Sequence, residues 1–318
     1  MSNDSFDNHI VIRPFLPDAD LLRLVNLLTQ VEAFDREGES VSEEALRKQL
    51  TWPRHERWVV PAPGDADQLI GYGSAFAQTK ERSALYVAVR PDWRRRGLGS
   101  ALLDCALGHA IETGAAQVTI YANARNKAAN DFLRQRNFTL VGAAWVMHAA
   151  HDVPLAEPEW PAGYTVHSHA VVQDLPALVR VSNRSYHDMW GHWENTEGAV
   201  TEEEMARWLP AFDPEGIWIA FAPNGDVAGT CRVQLAQDSD GEVMDILDGP
   251  GVVPEHRHHK LQRPLVLTAM HWQRARSSKP VRLESWGDDE QTIALYRDLG
   301  FDLDQHYVAY RLNLARAG

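Results

Sequence analysis

The stretch YVAVRPDWRRRGLGSALL, residues 86–103, governs how the rest of this chain is read. It opens on YVAV, residues suited to a buried strand, and Pro91 closes that strand. Arg94, Arg95 and Arg96 then stand directly before Gly97, Leu98 and Gly99, and GLGSALLDCALGHAIE has the length and apolar spacing of a helix. A strand, a glycine-containing turn and a helix in that order aim the free amides of the helix start at whatever fills the turn. Glycine at 97 and 99 permits close approach of that backbone, and the arginines add charge-assisted hydrogen bonds, so the arrangement suits a pyrophosphate. A helix cap beside a solvated basic turn is the plainer alternative. No Gly-Lys-Ser/Thr follows, and the glycines trail an arginine triplet, which disfavours P-loop and Rossmann readings.

Outward from this stretch, the chain reads as two copies of one pattern, β-α-α-β-β-β-α-β-α-β. In the first copy HIVIRP, ERWVVP, QLIGYGSAFAQ, SALYVAVRP, QVTIYA and FTLVGAAWVMHA carry strand patterns. LLRLVNLLTQV after Asp18, SEEALRKQL, the helix after Gly97 and NKAANDFLRQR complete it. The second copy repeats the order from YTVHSH to FDLDQHYVAYRLNL. Pro91 matches Pro254 and Phe138 matches Phe301, both 163 residues apart. HDVPLAEPEWPAG between the copies has three prolines and suits a semi-rigid linker. The expected domains are 1–153, with the intact loop, and 164–318, joined by 154–163.

Composition bounds the function. The 318 residues are 44% apolar, enough for two ordinary domains. A polar amino-terminal segment and the lack of an 18-residue apolar run predict a soluble, cytoplasmic protein without membrane partners. Cys105 and Cys231 are too few and too far apart to suggest a disulfide framework or zinc module. A net charge of -13 argues against nucleic-acid binding. Residues 1–155 carry 17 Lys+Arg against 19 Asp+Glu, a net of -2, and residues 156–318 carry 14 against 25, a net of -11. An anionic cofactor therefore favours the first copy.

Residues 86–103 resemble motif A of the GNAT superfamily of N-acetyltransferases, with Arg94, Gly97 and Gly99 at the positions of its Q/R-x-x-G-x-G/A signature. The resemblance implies an α/β (α+β layered) chain of two tandem GNAT folds, each a mixed, mostly antiparallel sheet flanked by helices. It also implies acetyl-CoA as co-substrate, no metal, and transfer to an amine of a small-molecule acceptor in a ternary complex, by a monomer or homodimer. Cofactor contacts are expected from Arg94, Arg95, Arg96, Gly97, Leu98, Gly99 and Ser100, and from the backbone of Val87 and Val89 where splayed strands receive the pantetheine arm. ARNKAANDFLRQRNF, residues 124–138, resembles motif B through Asn126, Ala129 and Phe138. Asn126 is a helix N-cap or a contact of the pantetheine arm. Leu133 stands where many members have the tyrosine that protonates the leaving thiolate. Tyr86, Tyr121 or water would substitute, and each tyrosine also reads as a structural strand residue.

The second copy inverts this pattern. Tyr296 matches the motif-B tyrosine and would serve as acid if that copy is active, but Lys260 and Gln262 replace Gly97 and Gly99. Side chains there are expected to exclude the cofactor and leave a scaffold or acceptor-shaping domain. His256, His258 and His259 read as a remodelled surface loop before a metal site. Acceptor contacts are expected in the loop holding Glu32, Phe34, Asp35, Glu37 and Glu39, with Glu32 or Asp35 as base through water. The corresponding segment of the second copy holds Tyr186, Trp190, Trp193, Glu194 and Glu197. Protein acetylation and a noncatalytic acyl-CoA sensor or scaffold are the competing functions.

Overall fold

The structure, a computed structural model, describes residues 11–35, 42–188, 199–236, 244–286 and 290–314. Two compact units result, one of residues 1–141 with 307–318 and the other of residues 142–306.

In the first unit the chain runs β1 (Arg13–Pro14), α1 (Pro17–Asp35), α2 (Glu43–Leu50), β2 (His55–Ala62), β3 (Asp65–Ala77) and β4 (Arg82–Val89). It continues through α3 (Leu98–Glu112), β5 (Gln117–Asn123) and α4 (Lys127–Gln135). α1 forms because Leu21, Leu24, Leu27 and Leu28 recur at helical spacing, and all four are buried. Buried Asp20 in its first turn accepts from both guanidinium nitrogens of Arg13, at 2.6 and 2.8 Å, and from the Leu16 amide at 2.8 Å. Ser42 caps α2 by accepting from the Ala45 amide at 3.1 Å. α3 lies close on β3, since a Cβ at Gly71 would sit 2.9 Å from Leu102 Cδ1.

The second unit contains β6 (Thr139–Ala149), whose residues from Gly142 belong to it, then β7 (Thr165–Ser168), α5 (His169–Val172), α6 (Leu175–Tyr186) and α7 (Glu202–Trp208). β8 (Ile217–Phe221), β9 (Val227–Gln234), β10 (Asp245–Val252), α8 (Gln262–Arg274), β11 (Val281–Trp286) and α9 (Glu290–Asp298) follow. α6 starts at Asp174, which accepts from the Ala177 amide, and α7 at a reciprocal capping box of Thr201 and Glu204. Among the described residues the predicted order therefore holds in both copies, with one helical turn, α5, added.

Sheet membership departs from the sequence halves. β5 pairs antiparallel with β12 (Asp302–Asn313), the last strand of the chain, while β6 pairs antiparallel with β11. The registers match: Gln117 faces Asn313 as Val281 faces Ala149, and Ala122 faces Val308 as Trp286 faces Ala144. Each copy thus gives its final strand to the other copy's sheet. The strand order is β1-β2-β3-β4-β5-β12 within the first unit and β6-β11-β10-β9-β8-β7 within the second. In both, one parallel pairing, β4 with β5 or β10 with β11, interrupts antiparallel neighbours.

The boundary expected at 154–163 consequently divides the chain by sequence and not by packing. That segment lies on the second unit. Leu155 and Trp160 pack against its core, and the Ala156 carbonyl bonds His271 Nε2 at 3.0 Å.

Candidate active site

The first unit opens where β4 leaves β5. Their paired residues end at Leu85 and Ile120, although the strands continue to Val89 and Asn123. The Arg90 amide bonds the Ile70 carbonyl at 3.0 Å, which fixes the phase of the β3–β4 ladder. Ala88 and Tyr86 share that phase and turn their backbone groups toward β3, so Val87 and Val89 turn theirs toward the opening.

Gly97 adopts φ +87° at the N-cap of α3, and nothing lies within 4 Å of where its Cβ would stand. The first backward helical bond is from the Ala101 amide to the Gly97 carbonyl, at 3.0 Å. The amides of Leu98, Gly99 and Ser100 precede it, and no side chain caps the turn. Leu98 is itself a core side chain, so its contribution to an anion site is backbone only. Arg95 and Arg96 are exposed beside this turn, with the Arg96 guanidinium 4.7 Å from the Trp93 ring centroid. Amides, the positive end of a helix and two exposed cations together make an anion cradle.

Arg94, also expected to meet phosphate, is engaged differently from its two neighbours. Its Nη1 and Nη2 donate to the Asp35 carboxylate at 2.7 and 2.6 Å, its Nε donates to the Val89 carbonyl at 3.0 Å, and Phe34 lies under the guanidinium at 5.4 Å. Arg94 therefore ties the end of α1 to the end of β4. The same pairing removes Asp35 as a general base, since both carboxylate oxygens accept from a permanent cation. It also occupies the Val89 carbonyl. Glu32, one turn earlier on α1, is half-buried.

Asn126 is the N-cap of α4, accepting from the Ala129 amide at 3.0 Å. Leu133 is 3% exposed and packs with Phe138 and Tyr310 in the core. Buried Asn130 donates to the carbonyls of Asn123 and Asn126 and accepts from the Tyr310 hydroxyl at 2.9 Å. Tyr86 lines a cavity of about 270 Å³ between α1, α2, β2 and the opened strand. Its ring lies 6.0 Å from that of Tyr72, whose phenol burial holds protonated. This cavity, with Trp52, His55, Ser74 and Phe76, is what sequence reading missed. The available signal was period-two alternation in HERW, which puts His55 and Arg57 on one face of β2.

The second unit reproduces the scaffold. β10 and β11 cease pairing after Leu247 and Leu283, and the Val253 amide bonds Ala228 as Arg90 bonds Ile70. Arg257 donates to Asp188 at 2.7 and 2.6 Å and to the Val252 carbonyl at 3.1 Å. Lys260 holds φ +58°, so the left-handed turn survives loss of its glycine at the strain that a Cβ brings there. What changes is occupancy, because the side chains of Lys260 and Gln262 stand where the first copy leaves bare backbone. His256 Nδ1 meets the Tyr164 hydroxyl at 2.9 Å, and the rings of His258 and His259 lie 3.9 Å apart. Among the described residues no cluster of His, Cys, Asp and Glu fits a metal ion. Tyr296 is 3% exposed, borders a cavity of about 510 Å³ with Tyr186, Arg232, Asp248 and Glu284, and packs on Phe301. Glu37, Glu39, Trp190, Trp193, Glu194 and Glu197 lie outside the described residues.

A strand opened beside an uncapped helix start, twice in one chain, defines an acyltransferase scaffold. The sequence of the Acetyltransferase (GNAT) family matches residues 25–138 and again 182–301, and the chain belongs to that family and is an N-acetyltransferase. It is 28% identical over 265 residues to the mycothiol acetyltransferase of Saccharopolyspora erythraea, covering 78% of this chain and 83% of that one. It is 30% identical over 258 residues to the mycothiol acetyltransferase of Thermobifida fusca, covering 75% and 77%. Among solved structures it resembles a GCN5-related N-acetyltransferase from Sphaerobacter thermophilus, with a TM-score of 0.77 at 20% identity over 96% of both chains. It also resembles a tandem GNAT protein from the clavulanic acid biosynthesis pathway, with a TM-score of 0.64 at 17% identity, covering 98% of this chain and 100% of that one. Family members use acetyl-CoA as co-substrate. No described helix is long and apolar enough to cross a membrane.

Proposed function

We propose that the first copy transfers the acetyl group of acetyl-CoA to the amine of a small-molecule acceptor, and that the second copy serves as scaffold. The observation that carries this reading is the uncapped turn at Gly97, open in front and flanked by exposed Arg95 and Arg96. The amides of Leu98, Gly99 and Ser100 would hold the pyrophosphate, and the opened edge of β4 at Val87 would hold the pantetheine arm. Acetyl-CoA supplies an activated thioester, and a neutral amine displaces its thiol directly. Positioning both reactants is the main contribution expected of the protein, with backbone donors at the opening stabilising the carbonyl oxygen. A thiol of pKa about 8.5 is a workable leaving group without a tyrosine at 133. With Asp35 held by Arg94, Glu32 is the remaining carboxylate proposed to accept the amine proton through water. The acceptor to try first is the deacetylated amine of mycothiol, since the relatives named above are mycothiol acetyltransferases.

The experiment is acetyl-CoA turnover against an amine panel containing that compound, with acetyl-CoA binding measured by calorimetry in parallel. Turnover that disappears in Gly97→Glu supports the reading. Tight acetyl-CoA binding with no turnover on any amine points to an acyl-CoA sensor.

A further inference from the structure

The cavity beside β4 has walls that suit one kind of acceptor. Trp52, Phe76, Tyr72 and Tyr86 give it aromatic sides, Ser74 and His55 give it polar ones, and among the described residues lining it none is acidic. His55 lies under Trp52 at 6.2 Å, nearly parallel, and beside Phe76 at 5.4 Å.

The charge behind this wall is positive. Arg57 Nη2 meets His55 Nδ1 at 2.6 Å and donates to the Gln49 carbonyl at 2.6 Å, while Nη1 donates to the His55 carbonyl at 3.1 Å. A guanidinium has only donors, so Nδ1 presents its lone pair and the proton of the neutral ring sits on Nε2. Burial and the neighbouring Arg57 push the imidazole down to about 4, which keeps the ring neutral near pH 7. His55 is therefore a fixed hydrogen-bond donor and not a base. A pocket with a donor, a half-buried cation behind it, aromatic walls and, among the described residues, no carboxylate disfavours an ammonium group and suits an oxygen carried on a ring.

Resting on the assignment of catalysis to the first copy, we infer that this pocket takes the oxygen-bearing ring of the acceptor, with His55 donating to that oxygen. The acceptors are then ring amines with hydroxyl, carbonyl or carboxylate oxygens, and linear polyamines are poor substrates.

The test compares kcat/KM for glucosamine, tyramine and spermidine in the unmutated chain, His55→Phe and His55→Gln. Glucosamine or tyramine should exceed spermidine, and His55→Phe should reduce that preference about tenfold, as for loss of one hydrogen bond. His55→Gln, which keeps a donor, should recover part of it. Equal acetyl-CoA affinity in all three proteins establishes that the variants are folded. Preference for spermidine, or a ratio unmoved by His55→Phe, overturns the inference. If none of the probes turns over, dissociation constants are compared instead, and failure of both ring amines to bind also overturns it. Acetyl-CoA binding that ignores Gly97→Glu removes the first-copy assignment itself. A Gly97-dependent reaction with unaltered discrimination removes only the role of His55.

Discussion

Arg94 holds Asp35 through both terminal guanidinium nitrogens, and Arg257 holds Asp188 in the same way in the second copy. Each arginine also bonds the carbonyl at the end of the strand before its loop, Val89 or Val252. The repetition separates two roles for this position. An arginine that ligated phosphate would lose its purpose where the glycines are lost, whereas one that fastens a helix to a strand keeps it.

Asp35→Asn is therefore expected to weaken acetyl-CoA binding by about tenfold through a loosened loop, the scale of one charge-assisted contact. Calorimetry gives the affinity and single-turnover kinetics at saturating acetyl-CoA gives the chemical rate. A lost rate at unaltered affinity would restore Asp35 as the base.

One tight acetyl-CoA site per chain is expected, located in the first copy. Gly97→Glu should abolish it, because a carboxylate is set against the amides of α3. The space in front of Gly97 is open, so the cost to folding is backbone strain at positive φ, about 1 kcal/mol. Lys260→Gly with Gln262→Gly should add a weaker second site, since Arg257 already holds that loop in shape. Titration that finds two equivalent sites in the unmutated chain would contradict the division of roles.

Leu133→Tyr should not restore a missing acid. The side chain is 3% exposed among Phe138 and Tyr310, so the larger ring overpacks the core at a cost of about 1–3 kcal/mol. A lower melting temperature without a single-turnover gain is the expected result; faster chemistry in a folded variant would show that the hydroxyl reaches the reaction.

Asp20 supplies a stability test away from the chemistry. Burial raises its pKa, but the Arg13 guanidinium, the Leu16 amide and Arg23 outweigh burial and hold the carboxyl below its ordinary value. Its folded pKa being depressed, the stabilisation is present above the unfolded value of about 3.9 and is lost as pH falls through the folded one. Asp20→Asn should cost roughly 1–3 kcal/mol near neutrality, the scale of hydrogen bonds to a charged group, since Arg13 stays partly exposed to water. Denaturant titrations at pH 7 and below pH 4 check this, and the variant should show less acid sensitivity over that range.

The element order was legible because helical and strand periodicities are local, as Leu21, Leu24 and Leu28 illustrate on α1. The turn at Gly97 was legible for the same reason, a glycine being suited to a left-handed backbone position next to its helix. The role of Asp35 was not, as its partner lies 59 residues away and an aspartate near a loop reads as solvated. His55 was hidden similarly, its tautomer being set by Arg57 rather than by any motif. Strand alternation marks β6 and β12 as strands but says nothing about which neighbour each chooses.

The traded final strands give the tandem arrangement a bearing on inheritance. A polypeptide ending at residue 153 would keep β6 yet lack β12, the partner that β5 has along Gln117–Asn123. The second copy can therefore differ at Lys260 and Gln262 without becoming dispensable, because deleting it would also strip a strand from its neighbour. Persistence of such a copy requires no chemistry of its own, since the exchanged strand alone ties it to its neighbour's sheet.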